Sequence, residues 1–264
     1  MKAISGFSEN VEIEEKNGLS YQKFAPLERF SFLKYGFILG YRDRTKINPP
    51  DIPKLISIVS GIPEEKFKVV IPAQVHQAEV KIFSENGSVG KGKVEEKSKS
   101  LERDALLTDQ ENLFLVVQVA DCLPVFLVDG KNKLLGLAHI GWRGALLGMA
   151  EKFINKAFYI FESDLKKLNL VLGPSIGKCC YKISDSLSVL VDDKYVERRG
   201  AEKYLDLNSL VKDRFLKSGV REENIFVSKD CTFCGNRLYQ SYRRDKEKAG
   251  RMIAFIGKVK EFKK

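Results

Sequence analysis

The side chains in this chain that could carry chemistry are a cysteine and two histidines. Asp121 and Cys122 interrupt an apolar, strand-like run. His139 stands at the end of a later apolar run, residues 134–138. A thiolate beside an imidazolium is an activated nucleophile, whereas the same pair can also hold a metal ion. A buried cysteine beside a hydrogen-bonded histidine, with no chemistry, is the third reading. A third ligand would decide between the first two readings. The third reading loses ground because the chain has only 2 histidines, the other of which is His76.

A β-hairpin is predicted to bring Cys122 and His139 together. Leu113–Val119 and residues 124–128 are rich in the apolar and β-branched residues of buried strands, and residues 134–138 form a third such run. The turn residues at 129–132 separate the last two runs. The sequence therefore predicts that these two runs pair.

The turn sets which residues face each other. A two-residue type II′ loop at Gly130 and Lys131 places Cys122 directly opposite His139, with their Cβ atoms about 4.5–5.5 Å apart. A loop at residues 129–130 shifts the register by two residues and makes the pair diagonal neighbours at roughly 7–8 Å. Either arrangement brings the thiol near the imidazole.

Several separate blocks of the sequence resemble the YfiH-type laccase-domain family. They occur in the family's order at residues 74–76 (QVH), 104–108 (DALLT), 120–124 (ADCLP), 139–144 (HIGWRG), 173–177 (GPSIG), 179–181 (CCY), 231–234 (CTFC) and 241–245 (SYRRD). The resemblance implies a zinc site of two histidines and one cysteine, which map onto His76, Cys122 and His139. It also implies a purine nucleoside phosphorylase that cleaves adenosine or inosine with phosphate, in a family also associated with adenosine deamination and methylthioadenosine phosphorolysis.

Other residues in these blocks are expected to contact the substrates. Arg143 precedes a predicted helix, whose free N–H groups favour an anion such as phosphate. Arg243 and Arg244 offer fork-shaped donors for phosphate or ribose oxygens, and Gln74 is a further candidate for substrate binding. Asp121 can act as a catalytic base or orient a neighbouring group.

Three other classes of function are weighed against this one. A copper polyphenol oxidase, which the family's older name implies, needs about ten histidine ligands for its four coppers, and this chain has 2. A zinc-free hydrolase with Cys122 as nucleophile remains open. A non-catalytic binding protein is disfavoured because both histidines converge on one cysteine.

A second cluster of cysteines is a weaker candidate. Cys231 and Cys234 form a CxxC pair, and Cys179 with Cys180 could complete a structural Cys₄ zinc site. Adjacent cysteines make poor chelate geometry, and the second CxxC of a zinc ribbon is missing. The sequence therefore disfavours that site.

Composition and charge indicate where the protein is located in the cell and what kind of ligand it binds. The net charge of +10 lies largely in mixed-charge stretches typical of solvated surface, so attraction of an anionic substrate is favoured over nucleic-acid binding. No window approaches the roughly 20 apolar residues of a membrane span, and the N-terminus lacks a secretory apolar core. With 5 cysteines, an odd number, the sequence predicts a reduced, cytoplasmic protein.

The predicted fold is a single α+β domain over residues 1–264, with a variable N-terminal hairpin within about residues 1–34. The layering as an α/β/β/α sandwich with mixed sheets is what the resemblance implies. Residues 35–42 occupy the region of a family segment that contributes to the substrate pocket but lack its glycine pair, so the resemblance does not assign Arg42 to the site. The loop at 85–100 is read as a solvated insertion in preference to a lid. Further elements are predicted as a hairpin around 16–18, helices at 52–60, 145–161, 184–191 and 208–218, and strands at 168–172, 223–227 and 251–256.

Overall fold

The computed structural model describes residues 11–41, 47–84, 102–235 and 238–259. Their strands are β1 (Val11–Lys16), β2 (Leu19–Phe24), β3 (Leu33–Tyr41), β4 (Lys68–Val70), β5 (Val80–Phe83), β6 (Ala105–Thr108), β7 (Leu113–Val119), β8 (Leu123–Asp129), β9 (Leu134–Ile140), β10 (Asn169–Leu172), β11 (Lys182–Ile183), β12 (Val196–Arg199), β13 (Glu202–Leu205), β14 (Ile225–Val227) and β15 (Met252–Lys258). The α-helices are α1 (Ala25–Glu28), α2 (Ile52–Ser60), α3 (Trp142–Leu146), α4 (Met149–Phe161), α5 (Asp185–Ser188), α6 (Leu207–Lys217) and α7 (Tyr242–Asp245).

The strands form two large mixed sheets and a small one. Sheet 1 has the order β1-β2-β3-β15-β7-β4, and sheet 2 has the order β14-β10-β8-β9-β6-β5. Most neighbours are antiparallel, but β4 runs parallel to β7, β5 to β6 and β14 to β10. The small sheet has the order β11-β13-β12.

Alternating residues of β7 show how the layers stack. Leu115 and Val117 lie in the core between the two sheets, whereas Phe114 and Val116 lie in a core that α2 covers. On the other side, α4 and α6 pack on the outer face of sheet 2. A strand buried on both faces explains why the run is continuously apolar rather than alternating. The predicted α/β/β/α sandwich with mixed sheets is confirmed.

The N-terminal hairpin is also confirmed. Asn17 and Gly18 connect β1 to β2 with φ angles of 54° and 74°, the backbone that a two-residue type I′ turn requires. Arg42 and the loop at 85–100 lie outside the described ranges.

The β8–β9 hairpin forms, but both predicted registers are wrong. Asp129 pairs with Leu134 and Pro124 pairs with His139, so the loop has four residues. The Asp129 carboxylate holds this loop by accepting from the backbone N–H groups of Lys131 and Asn132. The register places Cys122 diagonal to His139, on the same face.

Gly130 has a different role from the predicted one. A Cβ atom at this position would lie 2.8 Å from the ring of Phe30, so glycine is needed for packing there. The positive φ angle of the turn falls instead on Lys133, at 50°.

Two helix predictions need correction. The helix predicted at 145–161 begins earlier, at Trp142, and breaks at Gly148, whose φ is 80°. Helix α6 is capped by Asp206 rather than Asn208, since the Asp206 side chain accepts from Ser209 N–H. The helix predicted at 52–60 is confirmed and ends on Gly61, whose φ is 73°. Among the helices in the described ranges, none combines the length and hydropathy needed to cross a bilayer.

Candidate metal and substrate site

The candidate site lies at one end of the sandwich, where the chain passes between the sheets. The segment from β4 to β5 carries His76, and the segment from β7 to β8 carries Cys122. The segment from β14 to β15 carries Arg243 and also passes between the sheets. Because β4 is parallel to β7 and Met252 pairs with Val119, these crossings meet at the same end of sheet 1.

His76, Cys122 and His139 converge there. One possible ligand atom of each lies within 4.8 Å of the others, and the two imidazole rings meet edge to face with centroids 4.8 Å apart. His139 is buried, Cys122 is partly buried and His76 is exposed. These are the three residues onto which the family resemblance mapped the metal site.

The buried carboxylate of Asp104 organises both histidines. Its Oδ1 accepts from His139 Nδ1 at 2.9 Å and from the backbone N–H of His76 at 3.0 Å. Its Oδ2 accepts from the backbone N–H of Gln77 at 2.8 Å. These bonds hold His76 in the left-handed region, with a φ of 58°. With Nδ1 of His139 engaged, its Nε2 is the nitrogen left for a ligand, an arrangement common among metal-binding histidines.

Electrostatics favour the ionised forms of Cys122 and His139. Burial raises the pKa of the Cys122 thiol, but the charge and hydrogen bond of His139, followed by those of His76, outweigh burial and lower the pKa to about 6. Burial lowers the pKa of His139, yet the Cys122 thiolate and Asp104 together raise it to about 9. The thiolate is the form that both a metal and an electrophile require.

Gly141 leaves room for the cysteine sulfur. A Cβ atom at this position would lie 3.1 Å from Cys122 Sγ and 3.6 Å from His76 Cδ2. The glycine between β9 and α3 therefore allows the backbone to approach the three side chains closely.

Asp121 fixes the wall of the site beside His76, Cys122 and His139. Its Oδ1 accepts from Thr232 Oγ1 at 2.6 Å, and its Oδ2 accepts from the backbone N–H of Arg243 at 2.6 Å. Asp121 has a positive φ, 82°. Since both oxygens already accept hydrogen bonds, this geometry suits an orienting role better than that of a free base.

The three side chains open into a cleft of about 880 Å³. Its wall combines aromatic rings with charged groups, which are Trp142, Tyr181, Tyr242, Asp121, Arg143, Arg243, Lys246, Glu247 and Arg251. Cations outnumber carboxylates in this set, so the cleft favours an anionic ligand, while the rings offer faces for a planar one.

The predicted substrate residues divide into two groups. Arg143 and Arg243 line the cleft, and Arg143 lies over the Trp142 ring at 4.8 Å. It lies in the first turn of α3 rather than before a helix. Gln74 also lines the cleft, but its side-chain amide pairs with the backbone of Gln118 through both its nitrogen and its oxygen.

Arg244 is placed differently from the expectation. Its guanidinium donates to the carbonyls of Thr232, Phe233 and Tyr239 and to the Asp245 carboxylate. Those five bonds use all five N–H donors of an arginine. Arg244 therefore ties the 232–245 segment together and has no donor left for phosphate.

Sequence reasoning missed Asp104, Tyr181 and Thr232 as contributors to the site. Asp104 begins the predicted block at 104–108 and stands just before an apolar run, as Asp121 does. A polar residue at the edge of a buried strand was therefore the available signal. Tyr181 and Thr232 lie in the blocks at 179–181 and 231–234, but only the fold brings Tyr181 to the cleft and Thr232 to Asp121.

Comparison with known proteins agrees with this architecture. A family model described as multi-copper polyphenol oxidoreductase laccase matches residues 54–258. Purine nucleoside phosphorylase YlmD of Geobacillus stearothermophilus is 35% identical over 170 residues, which cover 60% of this chain and 61% of that protein. The match thus spans about three fifths of that relative's length. Purine nucleoside phosphorylase SSP1584 of Staphylococcus saprophyticus is 31% identical over 225 residues, 82% of each chain.

Solved structures show the same fold. The crystal structure of YlmD from Geobacillus stearothermophilus superposes with a TM-score of 0.77 at 24% identity, covering 94% of this chain and 99% of that one. The crystal structure of a Bacillus licheniformis hypothetical protein, YfiH, gives a TM-score of 0.75 at 25% identity with the same coverage. From the family match and these relatives, the chain belongs to the multi-copper polyphenol oxidoreductase laccase family, the family of YfiH and YlmD.

Proposed function

We propose that this protein is a zinc-dependent purine nucleoside phosphorylase, which cleaves adenosine or inosine with phosphate to give the free base and ribose 1-phosphate. The observation that carries the proposal is the position of His76, Cys122 and His139 in a cleft that also presents Arg143 and Arg243. Relatives bearing the name purine nucleoside phosphorylase support a purine nucleoside and phosphate as the substrates.

The donor set fits one zinc ion. Two imidazoles and a thiolate are ligands that zinc prefers, and three protein ligands leave one coordination position open. A zinc ion held there supplies Lewis-acid chemistry for an oxygen of the reactants. Copper is an alternative occupant of such a site, but 2 histidines in the whole chain do not suffice for the four coppers of a polyphenol oxidase, which need about ten histidine ligands.

Side chains of the cleft have separate roles in the proposed reaction. In phosphorolysis a phosphate oxygen bonds to C1′ of the ribose while the bond from C1′ to the base breaks, and the electron pair leaves with the purine. Arg143 and Arg243 bind and orient the phosphate, because guanidinium groups offer paired donors to its oxygens. The purine ring stacks on an aromatic wall to which Trp142, Tyr181 and Tyr242 contribute.

The remaining polar residues position these groups. Asp104 holds both histidines, and Asp121 holds the Arg243 backbone. Gln74 fixes the His76 segment against β7 through Gln118. Adenosine deamination and methylthioadenosine phosphorolysis belong to the same proposal as further activities of this cleft.

A product assay with and without phosphate tests the proposal. Purified protein given adenosine or inosine should release base only with phosphate present, and ribose 1-phosphate should form in equal amount. Equal base release without phosphate would identify a hydrolase, and conversion of adenosine to inosine alone would identify a deaminase.

Cys122→Ser separates the metal role from the nucleophile role. If Cys122 is a ligand, this variant should lose metal at the site together with activity, and a chelator should inactivate the wild type. A Cys122 nucleophile is the second candidate, since its lowered pKa of about 6 favours the thiolate. In that case metal-free wild-type protein stays active and an alkylating reagent at Cys122 abolishes activity.

Arg143→Gln tests the phosphate site. The variant should raise the KM for phosphate by about 10-fold or more, the effect of losing a charge-assisted hydrogen bond of about 1.5–3 kcal/mol. Lys152→Gln is the matched control, because Lys152 is exposed on α4 and pairs only loosely with Glu79, at 3.9 Å. An unchanged KM in Arg143→Gln would remove Arg143 from the phosphate site.

A further inference from the structure

The four cysteines outside the cleft form a second cluster. Cys179 and Cys180 follow the glycine-containing turn after β10, and Cys231 and Cys234 lie between β14 and α7. Their four sulfur atoms all lie within 4.8 Å of one another. Cys234 Sγ is 3.2 Å from Cys180 Sγ and 3.5 Å from Cys179 Sγ. Four thiols from segments more than fifty residues apart thus point at one small volume.

The spacing of the sulfurs has the size of a mononuclear metal site. Zinc bonds to thiolate sulfur at about 2.3 Å in a tetrahedron, which sets the sulfur atoms roughly 3.8 Å apart. A disulfide would instead need two sulfurs at about 2.05 Å and would leave the other pair unexplained. An iron–sulfur cluster is larger, because several irons and bridging sulfides lie between its cysteines.

A backbone N–H group points at one of these sulfurs. Gly177 N donates to Cys231 Sγ at 3.2 Å. Such bonds stabilise a thiolate, the form that binds a metal. Gly235 directly follows the Cys231–Cys234 turn. Glycine is needed there, because a Cβ atom would lie 2.4 Å from the Tyr239 ring.

The backbone also approaches the sulfurs closely on the other side. A Cβ atom on Gly177 would lie 3.3 Å from Cys179 Sγ and 3.3 Å from Cys231 Cβ. Glycine at this position therefore lets the two cysteine segments come together. The sequence objection to this site was that adjacent cysteines chelate poorly. In the fold, Cys179 and Cys180 both reach Cys234, because the turn at 178–180 directs both sulfurs to the same side.

We propose that Cys179, Cys180, Cys231 and Cys234 bind a structural zinc ion, separate from the metal site at His76, Cys122 and His139. All four positions are filled by thiolates, so this site is closed and its zinc is structural rather than catalytic. The inference does not depend on the proposed activity.

The second zinc would join two walls of the cleft. Ser175 and Cys231 form an isolated β-bridge, and Thr232 N donates to Ser175 O at 3.0 Å. Thr232 in turn binds Asp121, and Tyr181 lines the cleft. Of the residues that the structure describes around the cleft, none is one of these four cysteines. The zinc therefore fixes the position of cleft residues without contacting a substrate.

Metal content of four proteins tests the proposal. Protein purified under reducing conditions with zinc should carry two zinc ions per chain, and Cys122→Ser should carry one. Cys231→Ser should also carry one, and the double variant should carry none. Cys122→Ser retains all four cysteines of the second cluster, so its result does not depend on whether a change within the cluster permits folding.

Cobalt substitution identifies the ligands that hold the remaining ion. Because the chain has 5 cysteines, every thiolate-to-cobalt absorption band in Cys122→Ser must come from the second cluster. These bands should be strong, and all four thiols should resist alkylation until a chelator removes the metal. The proposal fails if Cys122→Ser binds no zinc, if its four thiols alkylate freely in the presence of zinc, or if mass spectrometry shows disulfides or iron there instead. An inactive wild type with two zinc ions would refute the phosphorylase and leave this site standing.

Discussion

Asp104→Asn tests whether one buried carboxylate sets the geometry of the proposed metal site. In the wild type, Oδ1 accepts from both His139 Nδ1 and His76 N, and Oδ2 accepts from Gln77 N. Asparagine has nearly the same shape, but one of its two terminal atoms is an NH₂ group that cannot accept. If the amide oxygen takes the Oδ1 position, the NH₂ group faces the Gln77 N–H, and two donors confront each other.

The expected cost follows from that loss. An unsatisfied buried donor destabilises the fold by about 1–3 kcal/mol. Loss of a carboxylate that orients a metal-binding histidine weakens metal affinity by about 10-fold to 100-fold, which corresponds to about 1.4–2.8 kcal/mol. The effect on affinity should exceed any effect from the loss of a surface carboxylate.

Competition with a chelator of known zinc affinity measures this effect, together with a denaturation curve for each protein. Asp193→Asn is the control, because it makes the same chemical change at a carboxylate that is 73% exposed and pairs with Arg198. That variant should keep the wild-type zinc affinity. If Asp104→Asn binds zinc as tightly as wild type while folding normally, Asp104 does not orient His139 and the reasoning is refuted.

Three further substitutions have expected outcomes. Gly141→Ala should weaken zinc binding in a chelator titration, because the added Cβ would press on Cys122 Sγ at 3.1 Å. Its stability should change little, since a φ of −90° suits alanine. Unchanged zinc affinity would contradict this prediction. Gly136→Ala should lower the free energy of unfolding by about 1–3 kcal/mol, measured in urea, because its Cβ would lie 2.6 Å from the Phe153 ring. Arg244→Lys should lose about 2 kcal/mol of stability, since an ammonium cannot replace its five bonds; an unaltered Tm would argue against the structural role.

The sequence predicted secondary structure correctly where a local pattern of apolar and polar residues coincides with burial in the fold. The apolar runs at 113–119 and 134–138 predicted strands that the structure contains, and the polar residues at their ends line one cleft. Asn17 and Gly18 predicted a hairpin turn because only a few residue types accept two positive φ angles. The three candidate ligands could therefore be named, although their convergence rested on the family resemblance and on an approximate hairpin.

Predictions that depended on tertiary contacts were less successful. Gly130 resembles a turn glycine, but the ring of Phe30 is the reason for it, and that contact spans a hundred residues. The same limit applies to Arg244, whose partners Thr232 and Tyr239 become visible only in the fold. The approach of Cys179 and Cys180 to Cys234 likewise becomes visible only in the fold.

The chain crossings at one end of the sandwich make the distances between the candidate metal ligands sensitive to shear between the two sheets. His76 and Cys122 lie on separate segments that leave sheet 1 and enter sheet 2, whereas His139 is part of sheet 2 itself. Sliding one sheet over the other would pull those segments and change the separation of nitrogen and sulfur atoms. Substitutions among the side chains packed between the two sheets, far from the candidate ligands, would thus alter metal affinity before the fold is lost. A bound ion would in turn stiffen the two layers against such sliding.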